Sequence, residues 1–91
     1  MFTPAQRKKC KQQAHHLKPV VLIGQAGLSN QVHEAIQEAL DAHEMIKIKI
    51  PPMDSAQKKL CAEKISAHHQ AELIQTIGRT VTLYRKKPEQ S

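Results

Sequence analysis

Aromatic side chains are nearly missing from this sequence: Phe2 and Tyr84 are the whole complement in 91 residues, and there is no tryptophan. Modules that read single-stranded nucleic acid by stacking bases carry aromatics on an open sheet face, so that mode of recognition is excluded. Cysteine is also sparse. Cys10 and Cys61 lie far apart and fit no CxxC or metal-ligand spacing, which excludes a disulfide framework and a zinc ribbon and leaves free thiols in a reducing compartment as the simpler expectation. No stretch approaches the ~20 apolar residues needed to cross a bilayer. The opening MFTPAQRKKCKQQ is charged with no apolar segment behind it, so a cytoplasmic protein without membrane contact is expected. Glycine is the last scarcity. There are three, Gly24, Gly27 and Gly78, and two of them stand in one tetrapeptide, GQAG.

Acidic residues are few and badly spread, and net charge is +6. Arg7, Lys8, Lys9, Lys11 and Lys18 crowd the first segment without a single acid, and Arg79, Arg85, Lys86 and Lys87 crowd the end. Between them Glu34, Glu38, Asp41 and Glu44 make one segment acidic. A chain patterned in this way is a dipole whose basic side suits a polyanion. Solvated basic termini would produce the same count, so the charge needs a site to go with it.

Local signals divide the chain into seven elements. Thr3, Pro4 and Gln6 make a helix start with a T-x-x-Q capping box, and Cys10, Ala14 and Leu17 share one face of that helix, which should end near His16 because Pro19 disfavours a helical Lys18. VVLI, residues 20 to 23, is short, continuous and β-branched, as expected of a strand covered on both faces or nearly so. Ser29 caps a second helix with Val32, Ala35, Ile36, Ala39 and Leu40 on its apolar stripe. MIKIKI, residues 45 to 50, alternates strictly and places Ile46, Ile48 and Ile50 inward, with Lys47 and Lys49 opposite. Asp54 and Gln57 open a third helix carrying Leu60, Cys61 and Ile65 inward and reaching about His69. AELIQTIGRTVTLYR then reads as a hairpin turning at Gly78 and Arg79. The order α-β-α-β-α-β-β predicts an α/β (α+β two-layer) domain over residues 1–87, with a mixed four-stranded sheet, three helices and a polar tail at 88–91.

The stretch KPVVLIGQAGLSNQV, residues 18 to 32, raises the functional question, because a strand running through glycines into a helix cap presents backbone N–H groups to an anion. A Walker loop needs four residues between its glycines and then Lys with Ser or Thr, whereas only Gln25 and Ala26 intervene here. The dinucleotide fingerprint needs a third glycine and a later acid. With both excluded, a GxxG loop remains, of the type that lets a nucleic-acid backbone approach the chain. The ordinary alternative is a plain strand-to-helix turn.

HHLKPVVLIGQAGLSNQV, ALDAHEMIKIKI and IGRTVTLYRKK together resemble the small bacterial stand-alone CRM-domain proteins of the YhbY type, named for chloroplast RNA splicing and ribosome maturation. The resemblance runs from end to end. It implies a fold like the C-terminal domain of translation initiation factor three and a non-catalytic RNA-binding protein, without cofactor, associated with ribosomal RNA in precursors of the large ribosomal subunit. It also implies an RNA-binding surface made of the loop Gly24, Gln25, Ala26 and Gly27, the basic first helix with Arg7, Lys8 and Lys11, Lys18 beside the loop, and Arg85 at the end of the last strand. Many relatives carry a basic residue within the loop, where this chain has the uncharged Gln25 and Ala26.

Other conspicuous residues carry less. His15–His16 and His68–His69 tempt a metal reading, but adjacent helical residues point about 100° apart, so such a pair makes no one-face site and no metal is expected. Neither cysteine sits in a nucleophile motif, and no catalytic residue is expected. Tyr84 is expected to pack at the sheet edge. With so few aromatics, binding rests on phosphate and sugar contacts, which favours structured RNA read by shape; a monomer is expected. The rival reading is a protein-interaction module that docks a basic partner on the acidic second helix.

Overall fold

A computed structural model describes residues 3–24 and 27–86; Met1, Phe2, Gln25, Ala26, Lys87 and the tail 88–91 lie outside the described residues. The elements follow the expected order: α1 (Pro4–Ala14), β1 (Pro19–Leu22), α2 (Asn30–His43), β2 (Met45–Lys49), α3 (Ser55–His68), β3 (Glu72–Ile77) and β4 (Thr80–Tyr84). Each helix starts on the side chain that its sequence offers. Thr3 Oγ1 accepts from the Gln6 N–H at 3.1 Å while Gln6 Oε1 accepts from the Thr3 N–H at 2.8 Å. Asp54 and Gln57 repeat this box on α3, and Ser29 Oγ accepts from the Val32 N–H at 3.2 Å to open α2. Such caps each contribute about 1 kcal/mol by satisfying donors that the first helical turn leaves unpaired.

The sheet runs in the order β1-β2-β4-β3. β1 pairs parallel to β2, and β4 is antiparallel to both of its neighbours, with Met45 opposite Tyr84 and Lys49 opposite Thr80. Strict alternation sends Ile46 and Ile48 of β2, with Val81 and Leu83 of β4, to one face, where they meet Ile36 and Leu40 of α2 and Ala62 and Ile65 of α3. Ile48 is fully buried, and its truncation to Ala is worth about 2–5 kcal/mol. The expected body of sheet and helices is therefore present, and α1 lies against β2 and β3. Cys10 and Ala14 of α1 are buried outside the main cluster together with Ile74 and Thr82, which places α1 on the opposite face of the sheet.

Four local expectations change. β1 is not covered on both faces: it is an edge strand, Val21 points to the core, and Val20 and Leu22 are 54% and 69% exposed, because α1 crosses β2 and β3 instead of β1. Leu60 is 58% exposed, since Ala62 and Ile65 set the inward stripe of α3 and Leu60 falls outside it. Ala35 likewise stays exposed on α2. Tyr84 ends an inner strand, half-buried, and not a sheet edge.

Candidate nucleic-acid interface

The glycine loop continues the edge strand. The Ile23 N–H donates to the Lys49 carbonyl at 2.9 Å, after which the chain turns and the Gly27 N–H donates to the Gly24 carbonyl at 3.0 Å. Gly27 has φ +80°, a left-handed conformation that side chains resist, so glycine is required there by the backbone itself. Gly24 is different. Its φ is not in that region and a Cβ built on it would meet nothing within 4 Å, so nothing among the described residues demands glycine at this position. A side chain there would project into open space. The Ser29 N–H then bonds the Gly27 carbonyl at 3.1 Å, and α2 opens immediately behind with its first-turn amides facing the loop. Gln25 and Ala26, expected at the centre of this site, lie outside the described residues.

Folding adds two cations to the loop's end of the sheet that local sequence reasoning did not place there. β2 reaches this end at Lys49, and the Ile50 N–H donates to the Arg79 carbonyl at 2.7 Å, which brings the hairpin tip alongside. Strand registers align Leu22, Lys49, Thr80 and Ile77 in one row across all four strands, on the face that carries α1. Leu22 and Ile77 are 69% and 59% exposed, and Lys49 and Arg79 are exposed. The open end of this face is thus a strip of aliphatic and basic side chains beside Gly24. Alternation showed Lys49 facing away from the core, but only strand order could put it next to the loop.

The first-helix cations divide into two kinds. Lys8 and Lys11 are exposed, and among the described residues neither makes an ion pair. Arg7 is half-buried: its Nη1 donates to the Leu73 carbonyl and its Nη2 lies 3.5 Å from the Glu72 carboxylate, tying α1 to β3. Lys18 is exposed, but it precedes β1 while Gly24 follows it, so the two stand roughly 20 Å apart along an extended strand. Lys18 therefore neighbours the end of α1 and not the loop. Arg85 lies at the far end of β4, where its N–H donates to the Glu44 carbonyl beside the start of β2. Its guanidinium meets Asp41 at 2.7 Å, Gln37 Oε1 at 3.0 Å and the His69 carbonyl at 3.1 Å. Asp41 of the acidic helix is thereby partnered, and Glu34 and Glu38 remain exposed.

Among the described residues, the histidines form a cluster that the sequence did not suggest. His33 of α2 meets His68 and His69 at the end of α3, with His33 Nδ1 and His69 Nε2 3.0 Å apart and the His33 and His68 rings stacked at 3.8 Å. Burial, then the His68, His33 and Arg85 charges, lower the pKa of His69 to about 4. Burial and His68 also lower that of His33. The thiols are not activated, since burial pushes Cys10 and Cys61 above their ordinary value. No helix among the described residues is long and apolar enough to cross a membrane.

Residues 2–85 match the model of the CRS1 / YhbY (CRM) domain. The chain belongs to this family. The CRM-domain chain is 40% identical over 84 residues to the "RNA-binding protein" of Haemophilus influenzae, covering 92% of this chain and 85% of that one. It is 34% identical over 89 residues to the "Probable RNA-binding protein YqeI" of Bacillus subtilis, covering 98% of this chain and 93% of the other. Among solved structures it is similar to the solution structure of the hypothetical protein SAV1595 from Staphylococcus aureus, with TM-score 0.86 and 30% identity over 100% of this chain and 95% of that one. The family resemblance and the element order expected from the sequence both hold.

Proposed function

We propose that this protein is a non-catalytic RNA-binding protein that engages structured RNA through phosphates and sugars, and that its target is ribosomal RNA in precursors of the large ribosomal subunit. Membership of the CRM family and the names of its relatives support the RNA reading. The observation that carries the site is Gly24, a glycine that neither its φ nor packing among the described residues requires, at the mouth of a capped helix. RNA backbone approaches that opening and the exposed Lys8, Lys11 and Lys18, while Lys49 and Arg79 extend the surface at the loop's end. Arg7 and Arg85 contribute second, because each is already shared with a carboxylate. The protein acts as a monomer in the cytoplasm. Asp41 is bonded to Arg85, which leaves the acidic helix a weaker docking face for a basic protein.

Sedimentation of a cell extract tests this reading. The protein is expected with particles lighter than the mature large subunit, released by high salt or ribonuclease. Migration only with free protein, and no nucleic acid on the purified protein, would overturn it.

A further inference from the structure

We propose that His33, His68 and His69 form a binding site for a divalent transition metal of the zinc type, with a fourth position open to solvent. Each offers a ring nitrogen, and these atoms all lie within 4.8 Å of one another. A tetrahedral ion with bonds of about 2.0–2.1 Å holds its ligands roughly 3.4 Å apart, and His33 Nδ1 and His69 Nε2 stand at 3.0 Å already. Two protonated nitrogens cannot face each other at that separation, so one of the pair presents a lone pair and the other its hydrogen. An arriving ion replaces that hydrogen bond. The ring that carried the proton on the facing nitrogen takes its other tautomer, and no net proton is released.

The third ligand needs movement, and the structure allows it. His68 is exposed and stacks on His33 at 3.8 Å with planes 21° apart, so its ring must tilt out of the stack for its lone pair to converge on the other two. Its outer side is open: His33 and His68 line an open depression with Leu28, Lys64 and Ala67 among the described residues. The positive neighbours are Lys64 on the exposed rim and Arg85, whose charge Asp41 balances at 2.7 Å. Three imidazoles and no carboxylate suit zinc, nickel or copper and not magnesium or calcium. An HH pair within a helix would diverge, but His69 is the C-cap, with φ −101° and ψ 6°, so the pair straddles the helix end and His33 arrives from α2. Because the site joins α2 to the end of α3, an ion there braces the helix that carries the glycine loop.

The test is titration of the purified, chelator-washed protein with zinc chloride, followed by calorimetry and by NMR of the histidine rings. One ion per chain is expected, with a rise in melting temperature and joint shifts of the His33, His68 and His69 resonances. His33→Gln and His68→Ala should each weaken binding about tenfold or more, and the exposed position of His68 keeps the second variant folded. His15→Ala and His16→Ala should leave affinity unchanged. Absence of uptake at a large molar excess, unchanged affinity in both cluster variants, or shifts confined to other histidines or the thiols would overturn the proposal.

Discussion

The Arg85 guanidinium meets the Asp41 carboxylate at 2.7 Å and, from the same group, bonds Gln37 and the backbone carbonyl of His69. One residue just past β4 thereby holds α2 and the end of α3 together. Its side chain is only 20% exposed, so these bonds are worth more than those of a surface pair. Arg85→Ala is expected to lower stability by about 1–3 kcal/mol, and Asp41→Asn by less, because Gln37 and His69 still accept. Denaturant melts of the two variants and their double mutant check this; an Arg85→Ala protein as stable as its parent would release Arg85 from the scaffold.

The first-helix cations should separate binding from folding. Lys8→Glu with Lys11→Glu is expected to weaken RNA affinity strongly while leaving the melting temperature unchanged, since both side chains are exposed. Arg7→Glu should lower affinity and stability together, because it breaks the contacts to Leu73 and Glu72. With about four to six phosphates engaged, log affinity should fall against log salt with a slope of roughly −3 to −5. Titrations at several salt concentrations decide it, and a flat salt dependence would contradict the electrostatic reading.

The two loop glycines should respond differently. Gly24→Asp introduces a side chain into open space and a charge that repels phosphate, so affinity falls and stability holds. Gly27→Asp forces a side chain at φ +80° and is expected to cost about 1–2 kcal/mol of stability as well. Gln25→Lys should strengthen binding and steepen the salt slope by about 0.7–0.9 for one added phosphate contact. Melting and RNA binding measured on all three variants check the assignment. A stable Gly24→Asp protein with undiminished affinity would take the loop out of the interface.

Lys49 and Arg79 carry a prediction that only the sheet order makes available. Lys49→Glu and Arg79→Glu should each weaken RNA binding by a margin comparable to Lys8→Glu, because strand pairing sets Lys49 beside the last residues of β1 and brings Arg79 to the same end of the sheet. Both are exposed, so melting temperatures should not move. Filter binding of the three single variants ranks them, and parental affinity in the two sheet variants would confine the surface to α1 and the loop.

Helix starts, the alternation of MIKIKI and the tight turn at Gly78 were legible in the sequence because each is set by a few neighbouring residues: a capping side chain, a period of two, a glycine at φ +58°. The stripe of α3 was less so, since several apolar residues compete and only packing against the sheet leaves Leu60 outside while Ala62 and Ile65 go in. Positive φ at Glu44 and Gln70 has no local signature at all, being imposed where α2 and α3 must stop and turn into strands.

The sequence by itself determined the order of elements, the glycine loop at the mouth of α2, the lack of stacking aromatics and the excess of basic charge, all of which are local or summed properties. Tertiary structure alone decided which cations share a surface. It set Lys18 and Arg85 away from the loop and Lys49 and Arg79 at the loop's end of the sheet, partnered Arg7 and Arg85 with carboxylates, and gathered three histidines from α2 and the end of α3. The reason is physical: strand order and register follow from burying one apolar face of the whole sheet beneath two helices, and polar side chains on the other faces are carried to wherever that burial puts them.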